Sequence, residues 1–154
     1  MGKRIINCHA DFEALTGREI GVSDYITITQ EQIDRFAEAT LDHQWIHTNP
    51  ERAAIESPFK ATIAHGYLSL SVLTYLWHNI VEVRNVKLVL NYAIENLRFN
   101  QPVVVNSRVR ARMSLESVTN LRGITKVKLN IILEIEGNKK PAYTCTSVFL
   151  YQFN

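Results

Sequence analysis

The chain has 154 residues, 46% of them hydrophobic, enough for one sizeable core without disulfide or metal staples. A charged fraction of 21% and a net charge of +2 give no general attraction to nucleic acid or to an anionic membrane, so any basic site must be local. Cys8 and Cys145 stand near opposite ends, which is neither a disulfide framework nor a metal-ligand cluster, and a reducing cytoplasm is expected. One domain over residues 1–154 is the expectation.

The N-terminus carries no apolar stretch of signal-peptide length, and Ile6 stands where a myristoylation motif has Ser or Thr. Tyr25-Ile26-Thr27-Ile28 alternates like a strand. Thr29-Gln30-Glu31-Gln32 then has the form of a capping box, with Ile33, Phe36 and Ala37 on one helical face until the pattern lapses near Thr40. Asn49-Pro50 opens a second short helix, because Asn suits the N-cap and Pro the first helical position. Residues 42–48 are therefore expected to form a loop between helices.

Gly66 stands before the most apolar segment, residues 67–81, which is too short and too interrupted by polar side chains to cross a bilayer. With almost no polar face, it is expected to be a helix surrounded by protein. From Val86 the pattern changes to strands over residues 87–99, 107–117 and 142–153, with a period-two run around residues 126–136. Gln101-Pro102, Thr119-Asn120 and Gly137-Asn138 punctuate them as turns, and antiparallel pairing is expected.

The densest cluster of reactive side chains is Asp42-His43-Gln44-Trp45-Ile46-His47. His43 and His47 have the spacing of a zinc-binding helix, but Gln44 replaces the Glu and no third ligand stands at a suggestive spacing. No nucleophile elbow is present, and neither cysteine has a local activating motif. An Asp and a His can instead work as a general acid and base on water. On a continuous helix, residues five apart point about 140° away from each other, so Asp42 and His47 converge only if the chain bends. On spacing alone the alternative stands that Asp42 ends a helix and His47 is a surface loop residue. Gly66, opening the apolar helix, offers a backbone N–H that a ligand can approach closely, or else serves tight packing.

Taken together, Asp42-x4-His47, Ile63-Ala64-His65-Gly66 and Arg98-Phe99-x2-Pro102-Val103 resemble the MaoC-like dehydratase family, which includes R-specific enoyl-CoA hydratases. The wording of residues 42–47 is similar to the branch with nodulation protein N homologues. The resemblance covers most of the chain and implies an α+β hot-dog fold, an antiparallel sheet wrapped around a long central helix. It also implies reversible hydration of trans-2-enoyl-CoA to (R)-3-hydroxyacyl-CoA without metal or redox cofactor. Asp42 and His47 match the catalytic pair, Gly66 the oxyanion donor, and a homodimer is expected. Either coenzyme A or acyl carrier protein could bear the acyl group.

The commoner family pattern has Gly before the Asp, Asn two places after it and Pro at the third, where this chain has Leu41, Gln44 and Trp45. Gln44, Trp45 and Tyr92 are candidate substrate-binding residues, with core packing the competing reading for both aromatics. His43 and His65 are left out of the catalytic set. Arg108, Arg110 and Arg112 alternate on one strand face, either to meet phosphates or as a solvated stripe. A thioesterase and a non-catalytic acyl-thioester-binding subunit are the alternative functions.

Overall fold

The computed structural model describes residues 2–154. The N-terminal half contains β1 (Arg4–Ile6), α1 (His9–Glu13), β2 (Glu19–Val22), β3 (Ile26–Thr27), α2 (Gln30–Thr40), α3 (Trp45–Thr48) and α4 (Pro50–Glu56). There follow α5 (Gly66–Ser71), α6 (Leu73–Ile80), β4 (Val81–Val83), β5 (Val86–Phe99), β6 (Arg108–Leu121), β7 (Ile124–Ile135) and β8 (Tyr143–Phe153). The main sheet is antiparallel in the order β2-β6-β7-β8-β5, with β3 also on β6, while β1 and β4 form a separate parallel pair.

Alternation decides which face of the sheet is buried. Met113 and Leu115 of β6, Leu129 and Ile131 of β7 and Tyr151 of β8 are buried against Leu68, Leu76 and Trp77 of the helices. The Trp77 indole donates to the Tyr151 hydroxyl at 2.8 Å, which pins α6 to the sheet without leaving either polar atom unpaired. Strand β5 bends through register shifts between Asn91 and Ala93 and between Glu95 and Arg98, helping the sheet curl round the helices.

The capping expectations hold. The Thr29 hydroxyl accepts from the Gln32 amide at 3.2 Å and the Asn49 side chain from the Arg52 amide at 2.9 Å. Other expectations need correction. Residues 42–48 are not all loop, because residues 45–48 wind into α3. The central helix is two segments meeting at Val72. Thr119-Asn120 continues β6, and the chain reverses instead at Arg122-Gly123, where φ is 54° and 93°. A two-residue hairpin with positive φ at both positions matches strand twist, and the Asn120 side chain braces it by accepting from the Gly123 amide at 2.8 Å.

The central helix is also not fully enclosed. Tyr67 and Tyr75 are 69% and 59% exposed. Leu88, Val89, Leu90, Tyr92 and Ile94 of β5, which lies at the sheet edge, are also exposed, on the two faces of the strand in turn. Among the described residues, no helix is long and apolar enough to cross a membrane.

Candidate active site

Helix α2 ends where Leu41 turns left-handed, with φ 63° and ψ 19°, and this turn redirects the chain at Asp42. The Asp42 carboxylate accepts from the Gln44 amide at 3.4 Å, and the His47 amide donates to the Gln44 carbonyl at 2.9 Å as α3 begins. Gln30 of α2 fixes this turn from behind. Its amide donates to the His47 carbonyl at 2.7 Å, and its side-chain oxygen accepts from the Thr62 hydroxyl. The next segment is held as firmly, with Ala64 donating to Val103 O at 2.8 Å and Val105 to Thr62 O at 3.0 Å.

His47 is buried, and its Nδ1 lies 2.7 Å from the Ile63 carbonyl oxygen. A carbonyl only accepts, so Nδ1 carries the proton and a neutral ring leaves Nε2 as a bare lone pair. Burial pushes the His47 pKa below the ordinary 6.5. The Ile63 hydrogen bond opposes that shift, the neighbouring His65 adds to it, and Asp42 again opposes it. The imidazole is thereby kept available as a base near neutral pH.

The bend brings Asp42, His47 and His65 together, with one donor atom from each lying within 4.8 Å of the others. The His47 and His65 rings stack at 3.9 Å with 23° between their planes, and His65 Nε2 is 3.0 Å from the Asp42 carbonyl oxygen. This trio does not fit a metal centre. An ion must lie in the plane of each ligating imidazole at about 2.0–2.1 Å, which two stacked rings cannot both offer.

Gly66 shares with His47 a cavity of about 370 Å³, also lined by Ser69, Phe99, Pro102 and Ala142. The Leu68 and Ser69 amides return to the His65 carbonyl. Among the described backbone contacts, the Gly66 N–H has no acceptor. A Cβ on Gly66 would meet the Phe99 ring at 3.2 Å, so glycine is what lets the backbone and that ring lie together.

Asp42 is exposed and does not line this cavity, although it lies close to His47, and the other candidates also fall outside it. Gln44 is exposed and works through its backbone as the N-cap of α3. Trp45 is half-buried under the Arg52 guanidinium, 4.4 Å above its ring, and is not a core aromatic. Tyr92 is 62% exposed and borders a different cavity of about 430 Å³, together with Leu70, Leu73 and Phe149, so core packing is overturned for it. His43 lies beside Glu38 at 3.6 Å. The arginine stripe is neutralised: Arg108 pairs with Glu136, Arg110 with Glu134, and Arg112 with Glu134 and Glu19. The Cys145 thiol, pushed up to about 11 by burial, is no nucleophile.

A family model described as MaoC like domain matches residues 11–135. The chain belongs to the MaoC-like dehydratase family. As such it is a hydro-lyase. The dehydratase is 47% identical over 143 residues to 3-hydroxyacyl-thioester dehydratase Z of Mycobacterium tuberculosis, covering 92% of this chain and 94% of that protein. It is 43% identical to nodulation protein N of Rhizobium leguminosarum bv. viciae, covering 94% and 91%. The fold of the dehydratase matches that of the (R)-hydratase from A. caviae with a TM-score of 0.71, at 20% identity over 90% of this chain and 96% of the other. The hot-dog fold expected from the sequence is thus the fold observed.

His65, left out of the catalytic set on sequence grounds, is hydrogen-bonded to the Asp42 backbone, and its stacking on His47 is what the residues alone do not show. Its position next to Gly66 was visible in the sequence, but its stacking on His47 depends on two segments that only the folded chain brings together.

Proposed function

We propose that the 154 residues act as one hot-dog domain that reversibly adds water to a trans-2-enoyl thioester, with (R)-3-hydroxyacyl-CoA as the product of the coenzyme A substrate. The observation that carries this reading is the free His47 Nε2 in a cavity shared with Gly66, with the Asp42 carboxylate close by. The Gly66 N–H polarises the thioester carbonyl, making C3 of the alkene electrophilic. The water oxygen bonds to C3 and its proton passes to the Asp42/His47 pair. The pair returns a proton to C2 of the resulting enolate and recovers its starting protonation. The two members act as a coupled unit.

The relatives' names support the substrate class, since one is called a 3-hydroxyacyl-thioester dehydratase and a structural neighbour an (R)-hydratase. The open apolar edge at β5, with Tyr67 and Tyr75 beside it, suits a second copy of the chain, so a mass of twice 17.6 kDa is expected in sedimentation. A monomer at micromolar concentration would remove that part of the reading. The free thiols suit a reducing cytoplasm.

The test is to incubate the purified protein with short and medium 2-enoyl-CoA thioesters, following enoyl absorbance and free thiol in parallel. Absorbance should fall with no thiol released. Asp42→Asn and His47→Gln should each slow hydration by about 10²-fold or more. Thiol release without hydration makes the protein a thioesterase, and neither signal makes it a binding subunit. Either result overturns the proposal.

A further inference from the structure

We infer that His65 is a positioning residue for this chemistry: its Nε2–H holds the Asp42 backbone while its ring backs the imidazole of His47. The inference rests on the hydration reading above and adds a third residue to the pair. His65 is 3% exposed. One face of its ring lies on His47 at 3.9 Å, and Phe36 of α2 packs against it at 4.9 Å. The side chain therefore links α2, the Asp42 turn and α3 to the start of α5. Each group needed for hydration is one contact away from it.

The other nitrogen defines its state. Among the described residues, His65 Nδ1 is buried with no hydrogen-bond partner. A second proton there would bury an N–H without an acceptor, which costs more than burying a bare lone pair. His65 accordingly donates through Nε2–H to the Asp42 carbonyl, while its Nδ1 has no hydrogen-bond partner. It touches no substrate, and its effect passes through the placement of Asp42 and His47. Displacing a catalytic group by about 1 Å can cost ~10²-fold in rate.

The test separates the donor from the ring. His65→Phe keeps a flat ring on His47 and loses the donor, whereas the amide nitrogen of His65→Gln reaches the place of Nε2. The Phe variant should lower kcat about 10-fold to 100-fold with KM within ~3-fold. The Gln variant should retain several-fold more kcat than Phe. Should the Phe variant fail to fold, His65→Asn replaces it, since the shorter amide reaches only the Nδ1 position. A kcat equal to wild type without the donor overturns the inference, as do losses that follow Tm alone. Nitrogen-15 spectra of the wild-type histidines give a readout independent of turnover, and a Nδ1–H tautomer at His65 also overturns it. Wild-type protein inert toward every enoyl thioester defeats the hydration reading instead, leaving the tautomer result to judge the geometry.

Discussion

Replacing Gly66 with alanine adds one methyl group where the start of α5 meets the ring of Phe99. That carbon would sit 3.2 Å from Cε1 and Cζ and 3.4 Å from Cδ1 of the ring. Carbon atoms at ease lie about 3.5–4.0 Å apart, so the ring must retreat by roughly 0.3–0.8 Å. It has room to do so. Phe99 is 44% exposed at the end of an edge strand, held mainly by edge-on contacts with Tyr67 and Tyr143. Overpacking of this kind costs about 1–3 kcal/mol, and the better helix propensity of alanine returns up to ~1 kcal/mol. The expected net loss is about 1 kcal/mol, a Tm lower by roughly 2–4 °C.

The effect on rate should be far larger. The new methyl and the displaced ring crowd the cavity side of the Gly66 amide, where the thioester carbonyl is proposed to bind. Loss of one such donor lowers kcat by about 10²–10³-fold. Enoyl absorbance measured at saturating substrate reports kcat, and a parallel thermal melt reports folding. Adding Phe99→Ala relieves the overlap but loses the ring's contacts with Tyr67 and Tyr143, and it should not restore the rate, since the methyl remains. A Gly66→Ala protein with wild-type kcat would refute the role assigned to that amide.

Three further outcomes concern pH and backbone strain. Because burial lowers the His47 pKa, the acid limb of the hydration rate should have its midpoint below pH 6.5, and a midpoint at or above that value removes His47 as the base. The same shift makes the unfolded chain bind the proton first, so this contribution to stability is complete above about pH 6.5 and is lost as pH falls toward the folded value; urea midpoints should decline over that range. Leu41→Gly should raise the urea midpoint. A left-handed conformation costs an L-residue about 1–2 kcal/mol, glycine gives back ~0.5–1 kcal/mol in chain entropy, and Leu41 is 79% exposed with little packing to lose. A lowered midpoint would show that the turn is not strained.

The parts of the fold written in local pattern were legible in the sequence. Alternation along residues 126–136 exposed a half-buried strand, and Thr29 and Asn49 announced the helix starts they cap. The bend at Asp42 was required by geometry, and its agent, a left-handed Leu41, goes against the residue's own preference; the sign of it was the glycine that the commoner family pattern has at that position. The hairpin tip was misplaced because Thr119-Asn120 has turn composition, whereas Arg122-Gly123 has the conformation that the twist needs. The open face of the central helix was illegible for another reason: an apolar pattern shows that a surface must be covered, not whether the same chain covers it. At the site, Asp42, His47 and Gly66 were visible through their motifs, while the stacked His65 and the separate cavity beside Tyr92 depend on contacts between distant segments.

The hydrogen bond between His47 Nδ1 and Ile63 has a consequence for handedness. One nitrogen is occupied, so the imidazole can exchange protons only through the other, on a single side of the cavity. An enoyl group bound as proposed, between that nitrogen and the Gly66 amide, would be approached on one face only. On the proposed hydration, the configuration of the new stereocentre would then be set by a backbone carbonyl remote from the reacting carbons, and a racemic product would count against that arrangement.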